Sequence, residues 1–172
     1  VLRRARLRFA LVFVAVGGAL LALYSFPYAE NGIDERGFHR FLALYARLAG
    51  AVLSLFDRGI RVVDVDIVGR VSLTVAKNCD AMDVNILFVA AVVAFPASWG
   101  RRAVGVVAGL AALVIVNVLR ITTLYFVELH APGAFEVVHA EVWPLALVLL
   151  AFGAFLAWSR WASAEPAGSA EG

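Results

Sequence analysis

From Leu7 to Phe26 the chain is almost unbroken in apolar residues, 20 positions in all. As a helix that run is about 30 Å long, enough to cross a hydrocarbon core. It follows Arg3, Arg4, Arg6 and Arg8, so a signal peptide has to be weighed. The run is longer than an ordinary signal core, and Tyr24-Ser25-Phe26-Pro27-Tyr28 offers no small-residue cleavage site. An uncleaved span is expected, ended by a turn at Pro27 and Asn31-Gly32. Three further apolar runs follow: about Ala81–Ser98, Ala103–Thr122 with its helix continuing toward Leu129, and Ala140–Trp158. They bring the expected spans to four.

Two segments break this pattern. Phe38 to Phe56 is apolar enough to insert but carries Arg40 and Arg47, and a cation at the bilayer centre costs several kcal/mol, about 2.5–3.5 on insertion scales. If it lies in the interface as an amphipathic helix, the N-terminal arginines, Arg101/Arg102 and Arg160 all fall on one side; if it spans, they do not. The interfacial reading is the consistent one. From Ile60 to Lys77 the period changes to two: Val63, Val65 and Ile67 alternate with Asp64 and Asp66, then Val71, Leu73 and Val75 with Ser72 and Thr74 beyond Gly69-Arg70. That predicts a short β-hairpin over 60–77, packed on the helices or a partner and able to offer an edge to an extended peptide. Residues 163–172 are small and acidic, which predicts a disordered tail.

Composition strengthens the membrane reading. Of 172 residues, 63% are hydrophobic and only 16% charged, with a mean hydropathy of +0.88. A soluble domain of this size has too little interior for that apolar surface. The expected fold is an all-α polytopic membrane protein, a single domain over 1–162. It has about four transmembrane helices, an outer amphipathic helix and the hairpin. Its termini face the cytoplasm. No basic stretch interleaved with aromatics points to nucleic acid, so the partners to expect include membrane lipids.

The candidate chemistry is sparse. Cys79 is the lone cysteine, so it forms no internal disulfide, and a free thiol facing an oxidising compartment is unusual. Burial as a small hydrophobe is the common fate of such a residue. Under the four-span topology Cys79 stands at the outer start of one helix. Arg120 lies about 26 Å up the next helix from Ala103, and His139 just before the last span. The three converge in depth. Arg120 has the snorkelling alternative open to any arginine near a helix end, but Asn117 lies on the same helical face and is expected to orient it. Among the histidines, His139 is favoured over His39 and His130, because Phe135, Glu136 and Trp143 are one turn away on a helix. A helix N-terminus and a nearby cation lower a thiol pKa, while Asp80 and Asp83 oppose this. Asp83 is a candidate to orient Arg120 or His139. No HExxH, G-x-S-x-G, phosphate loop or zinc-ligand spacing is present, and no cofactor is expected.

The stretch from Asn78 to Trp143 resembles the exosortase/archaeosortase family of membrane cysteine transpeptidases, in its short single-domain exosortase H form. The matching pieces are Asn78-Cys79-Asp80-Ala81, Phe95-Pro96-Ala97-Ser98-Trp99, Asn117-Val118-Leu119-Arg120-Ile121 and Phe135-Glu136-Val137-Val138-His139 followed by Trp143. The resemblance implies Cys79, Arg120 and His139 as catalytic residues. It implies substrates that are secreted proteins with a C-terminal sorting tail: a short Pro-containing motif, a transmembrane helix and a basic cluster. It also implies transfer to an amine acceptor on a lipid or envelope component, at the outer face of the inner membrane. One departure stands out: Ala81 occupies a position where the family usually has glycine.

Two other classes remain open on the sequence. One is a non-enzymatic membrane subunit that binds a partner through its outer helix and hairpin. The other is a small transporter with Arg120 as an anion site, although such sites usually lie at the midplane beside broken helices.

Overall fold

The computed structural model describes residues 2–26 and 36–164. The turn expected at Pro27 and Asn31-Gly32 and most of the expected disordered tail lie outside the described residues. Helix α1 runs over Leu2–Tyr24, α2 over Arg36–Ser54, α3 over Met82–Ala94 and α4 over Trp99–His130. After a 3-10 turn, Phe135–Val137 forms the single turn α5, a π-helical turn covers Val138–Val142, and α6 covers Trp143–Ser163. Among the described residues, three helical segments are long and apolar enough to cross a membrane: Arg6–Tyr24, Trp99–His130 and Pro132–Ser163. Their exposed Leu11, Val14, Val107, Ile115, Leu149 and Phe152 give them an apolar surface suited to lipid.

Helix α3 is shorter than expected, 13 residues and about 20 Å. Pro96 explains the early stop: the residue before a proline is pushed out of the helical region, and Phe95 is extended with ψ 139°. Ser98 then starts α4 by accepting a hydrogen bond from the Arg101 amide, an ordinary N-cap.

The helices alternate in direction, which sorts the charges. At one end Arg8 lies near Trp99 and Arg102, Arg101 donates to the Ala162 carbonyl at 2.6 Å, and Trp158 Nε1 donates to the Arg101 carbonyl at 3.1 Å. At the other end Tyr24 meets Asp80. Between these ends Phe88, Val92, Leu113 and Ala151 form a core shared by α3, α4 and α6.

A second core lies beyond the polar end. Helix α2 buries Leu42, Tyr45, Ala46, Ala49 and Leu53 and leaves Arg40 and Arg47 exposed, the one-sided pattern expected of an amphipathic helix. Its apolar face packs with Ile67, Val75 and the α4 residues Val118, Ile121 and Tyr125. Burying each large side chain contributes about 1.5–3 kcal/mol. Helix α4 is therefore both long and apolar enough to span a membrane and the post on which this second layer is built.

The expected hairpin is a three-stranded antiparallel sheet instead, in the order β1 (Arg61–Val63), β2 (Asp66–Val68), β3 (Ser72–Thr74). Alternation through Val63, Val65 and Ile67 reads as one strand. Asp64, however, takes a left-handed backbone (φ 58°), a conformation that Asp tolerates better than most residues. The chain reverses over Asp64-Val65, with Val63 facing Asp66. The sheet docks on α4 where the Arg70 amide donates to Tyr125 Oη at 2.9 Å. Gly69 permits that approach, since a Cβ there would lie 2.3 Å from the same hydroxyl.

On the helix side, a Cβ on Gly109 would come within 2.1 Å of the buried Phe88 ring. Gly109→Ala is expected to cost about 1–3 kcal/mol through overpacking, seen as a lowered Tm of the detergent-solubilised protein. Gly153→Ala, where a Cβ meets nothing within 4 Å, should leave the Tm nearly unchanged.

Candidate active site

The segment Ala76–Met82 turns the chain from β3 into α3, and Cys79 sits at its centre. A 3-10 turn over Lys77–Cys79 is closed by the Cys79 amide donating to the Ala76 carbonyl at 2.8 Å. Asp80 follows, 3% exposed, with Oδ1 accepting from the Met82 amide and Oδ2 from the Tyr24 hydroxyl, each at 2.8 Å. Asp80 thereby caps the start of α3 and fastens α1 to it. Ala81, between them, has φ 55° and ψ 22°. This is the left-handed region that glycine enters freely and alanine at a cost of roughly 1–2 kcal/mol. The position where the resembled family has glycine thus has a backbone suited to glycine.

His139 reaches the thiol. Its Nε2 lies 3.4 Å from Cys79 Sγ, within hydrogen-bonding range for sulfur. The ring stacks on Phe135 (centroids 5.6 Å, 23° between planes). His139 belongs to the π-helical turn Val138–Val142, a wide turn of the kind that often appears at functional sites. Pro144 accounts for it: a proline has no amide for the carbonyl four residues back and its ring crowds that carbonyl, and a wider turn relieves both. Hydropathy alone starts the last span at Ala140; Pro144 beside Trp143 is the sequence signal for the wide turn before it.

Arg120 is 3% exposed on the inward face of α4, and its positive charge acts on both Cys79 and Asp80. Asn117, one turn earlier and fully buried, donates from Nδ2 to the Cys79 carbonyl at 2.8 Å. Asn117, expected to orient Arg120, thus also holds the backbone of the cysteine. Asp83 is exposed on the first turn of α3, and its charge acts on Asp80. Tyr24 was missed, because nothing in an apolar run signals a partner 56 positions away.

The rival histidines are elsewhere. His39 Nε2 is 2.6 Å from Asp64 Oδ2 in the β1–β2 turn, and His130 Nδ1 donates to the Phe126 carbonyl at 3.0 Å. Among the described residues no group of three His, Cys, Asp or Glu side chains is placed to hold a metal ion.

Burial pushes the Cys79 thiol above its ordinary pKa; the Arg120 charge and the bond at Ala76 pull the other way, and the Asp80 charge adds to the rise. Of the opposing influences expected at this thiol, those that raise its pKa win. Ala81 intervenes before α3 begins, so the cysteine lies before the first turn rather than on it, and burial dominates. Burial also raises the Asp80 carboxyl, opposed by its bonds to Met82 and Tyr24.

The thiol opens on a cavity of about 480 Å³ lined by β3, Val75, Ala76, Cys79, Ile121, Leu124, Glu128, Phe135 and His139. The arrangement brings together a thiol, an imidazole within hydrogen-bonding range, a buried guanidinium and a cavity. Comparison with protein-family models, curated proteins and solved structures gives no match for this chain.

Two outcomes follow. Iodoacetamide labelling of Cys79 should be slow at neutral pH and rise with pH through a midpoint above that of ordinary cysteine, because only the thiolate reacts. Removing the charge in Arg120→Gln should move that midpoint higher, read by mass spectrometry across a pH series. Ala81→Gly should raise stability by up to about 1 kcal/mol, and Ala81→Val should lower it, measured as Tm.

Proposed function

We propose that this chain is a membrane-embedded cysteine transpeptidase of the exosortase kind, cleaving the C-terminal tails of secreted proteins. The observation that carries the reading is the 3.4 Å approach of His139 Nε2 to Cys79 Sγ beside buried Arg120, at a cavity open to a substrate. The membrane setting follows from the apolar helices. With α3 as a short fourth pass, Arg8, Arg101, Arg102 and Arg160 share the cytoplasmic end and the site faces outward from the inner membrane.

The chemistry runs in two steps. His139 takes the proton of the Cys79 thiol as the sulfur attacks the scissile carbonyl carbon. The C–S bond forms, the negative charge on the carbonyl oxygen is met by Arg120, and the C–N bond breaks as His139 returns the proton to the leaving amine. The product is a thioester acyl-enzyme. An acceptor amine, on a lipid or envelope component, then attacks the thioester. Its C–N bond forms, the C–S bond breaks, and His139 passes the amine proton to the departing sulfur. Water in place of the amine makes the same site a protease. A raised thiol pKa suits this order, since the proton leaves during attack rather than beforehand. Asn117 positions the Cys79 backbone throughout, and no step calls for a cofactor.

The test is a processing assay in membranes containing a candidate tail-bearing protein. Cys79→Ala should abolish cleavage, His139→Ala should reduce it about 10²–10⁴-fold and Arg120→Gln about 10²–10³-fold. Hydroxylamine should release a trapped acyl group from the active protein. Equal processing by Cys79→Ala would return the chain to the class of non-enzymatic membrane subunits that bind a partner through α2 and the sheet.

A further inference from the structure

Strand β3 is the outer strand of the sheet, and Ser72 through Ala76 line the same cavity as Cys79 and His139. The ladder's register decides which backbone groups face that cavity. The Val75 amide donates to the Val65 carbonyl at 2.9 Å, and the Gly69 amide donates to the Val71 carbonyl at 3.0 Å. Val71, Leu73 and Val75 thus turn their polar groups toward β2. By the alternation of an antiparallel ladder, Ser72 and Thr74 turn theirs away from it. Among the described residues no hydrogen bond reaches the amide or carbonyl of either. Leu73 and Val75 pack into the outer core, so the strand is held in place while its edge stays open.

An unpaired strand edge is a template for another extended chain, and this one leads into the turn that carries the thiol. We infer that β3 is the substrate-binding strand: an extended polypeptide segment pairs with its edge as a fourth strand and delivers its terminal carbonyl to Cys79. The inference rests on the reading of Cys79 as the nucleophile. It is the acyl half that pairs, because that half must stay bound after the amine half leaves. Both this segment and β3 run toward Cys79, so the pairing is parallel. Ile121, Leu124 and Phe135 offer apolar contacts to its side chains, and the Glu128 carboxylate in the same lining disfavours an acidic one. Recognition then comes largely from backbone groups, with modest demands on side chains.

Cys79 is the sole cysteine, so its labelling reports on this site alone. The probes are acetyl-alanine vinyl sulfone and acetyl-tetraalanine vinyl sulfone, which alkylate the thiol: its sulfur bonds to the terminal vinyl carbon, the double bond becomes single, and the proton ends on the carbon beside the sulfone. With the full chain in detergent, the tetrapeptide should label at least tenfold faster than the single residue. N-methylating one alternate set of its amides should erase about tenfold, the worth of one or two hydrogen bonds, and methylating the other set should not. In Ser72→Pro/Thr74→Pro, which removes the outward amides and the Thr74 Oγ1 bond to Asp66 but no backbone bond to β2, the ratio of the two probe rates should fall toward one. Equal rates for both probes on the unaltered chain, or indifference to methylation at either set, overturns strand pairing. If labelling by the single-residue probe is also unaffected by His139→Ala, the nucleophile reading has failed as well; if it depends on His139 while length has no effect, only the strand pairing has failed.

Discussion

A guanidinium buried to 3% exposure on an otherwise apolar helix is the constraint around which this molecule is arranged. An ion removed from water carries a penalty of several kcal/mol unless charges and dipoles are brought to it. Here the compensation draws in separate parts of the chain. The Arg120 charge acts on Asp80 and Cys79; Asp80 in turn is held by Tyr24 of α1 and by the first amide of α3. Asn117, one turn below the arginine, ties the Cys79 backbone to α4. Three helices and the turn between sheet and α3 are thereby fixed at one level, and the outer layer of α2 and sheet closes over them.

The same arrangement pushes the pKa of the thiol upward. A cation nearby pulls its pKa down, but the burial that keeps the cation dry pushes it up, and burial is the larger effect. On the proposed mechanism such a group needs a base at the moment of attack, and the imidazole lies at 3.4 Å. The imidazole owes its position to a wide helical turn, which is itself a consequence of Pro144. Site chemistry and backbone irregularity are in this sense one feature.

The long elements were legible in the sequence because hydropathy alone defines them. Arg6–Tyr24, Trp99–His130 and the last helix are plain apolar runs, and the amphipathic character of α2 follows from where Arg40 and Arg47 fall. The convergence of Cys79, Arg120 and His139 in depth could also be counted along helices of known rise. Less legible was whatever depends on one backbone angle or on a distant partner. Asp64 at positive φ turned an expected hairpin into three strands, and Phe95 before Pro96 shortened α3. The Asn117 side chain turned to the cysteine carbonyl, and Tyr24 found Asp80; periodicity carries no information about either contact.

The π turn at Val138–Val142 has a mechanical consequence for the helix that follows. Such a turn contains one residue more than a regular turn of α-helix, so the residue count, rather than the course of the helix, shifts by one across it. Helix α6 packs through Leu147, Ala151, Ser159 and Ala162, a stripe that begins beyond the wide turn. Because that turn already holds the surplus residue, deleting one residue between 140 and 142 would convert it to regular α-helix and leave α6 close to its present azimuth. What would change is the backbone beneath the imidazole, since the turn that carries His139 would narrow. The aim of His139 and the packing of α6 are therefore separable, and the wide turn is the joint between them.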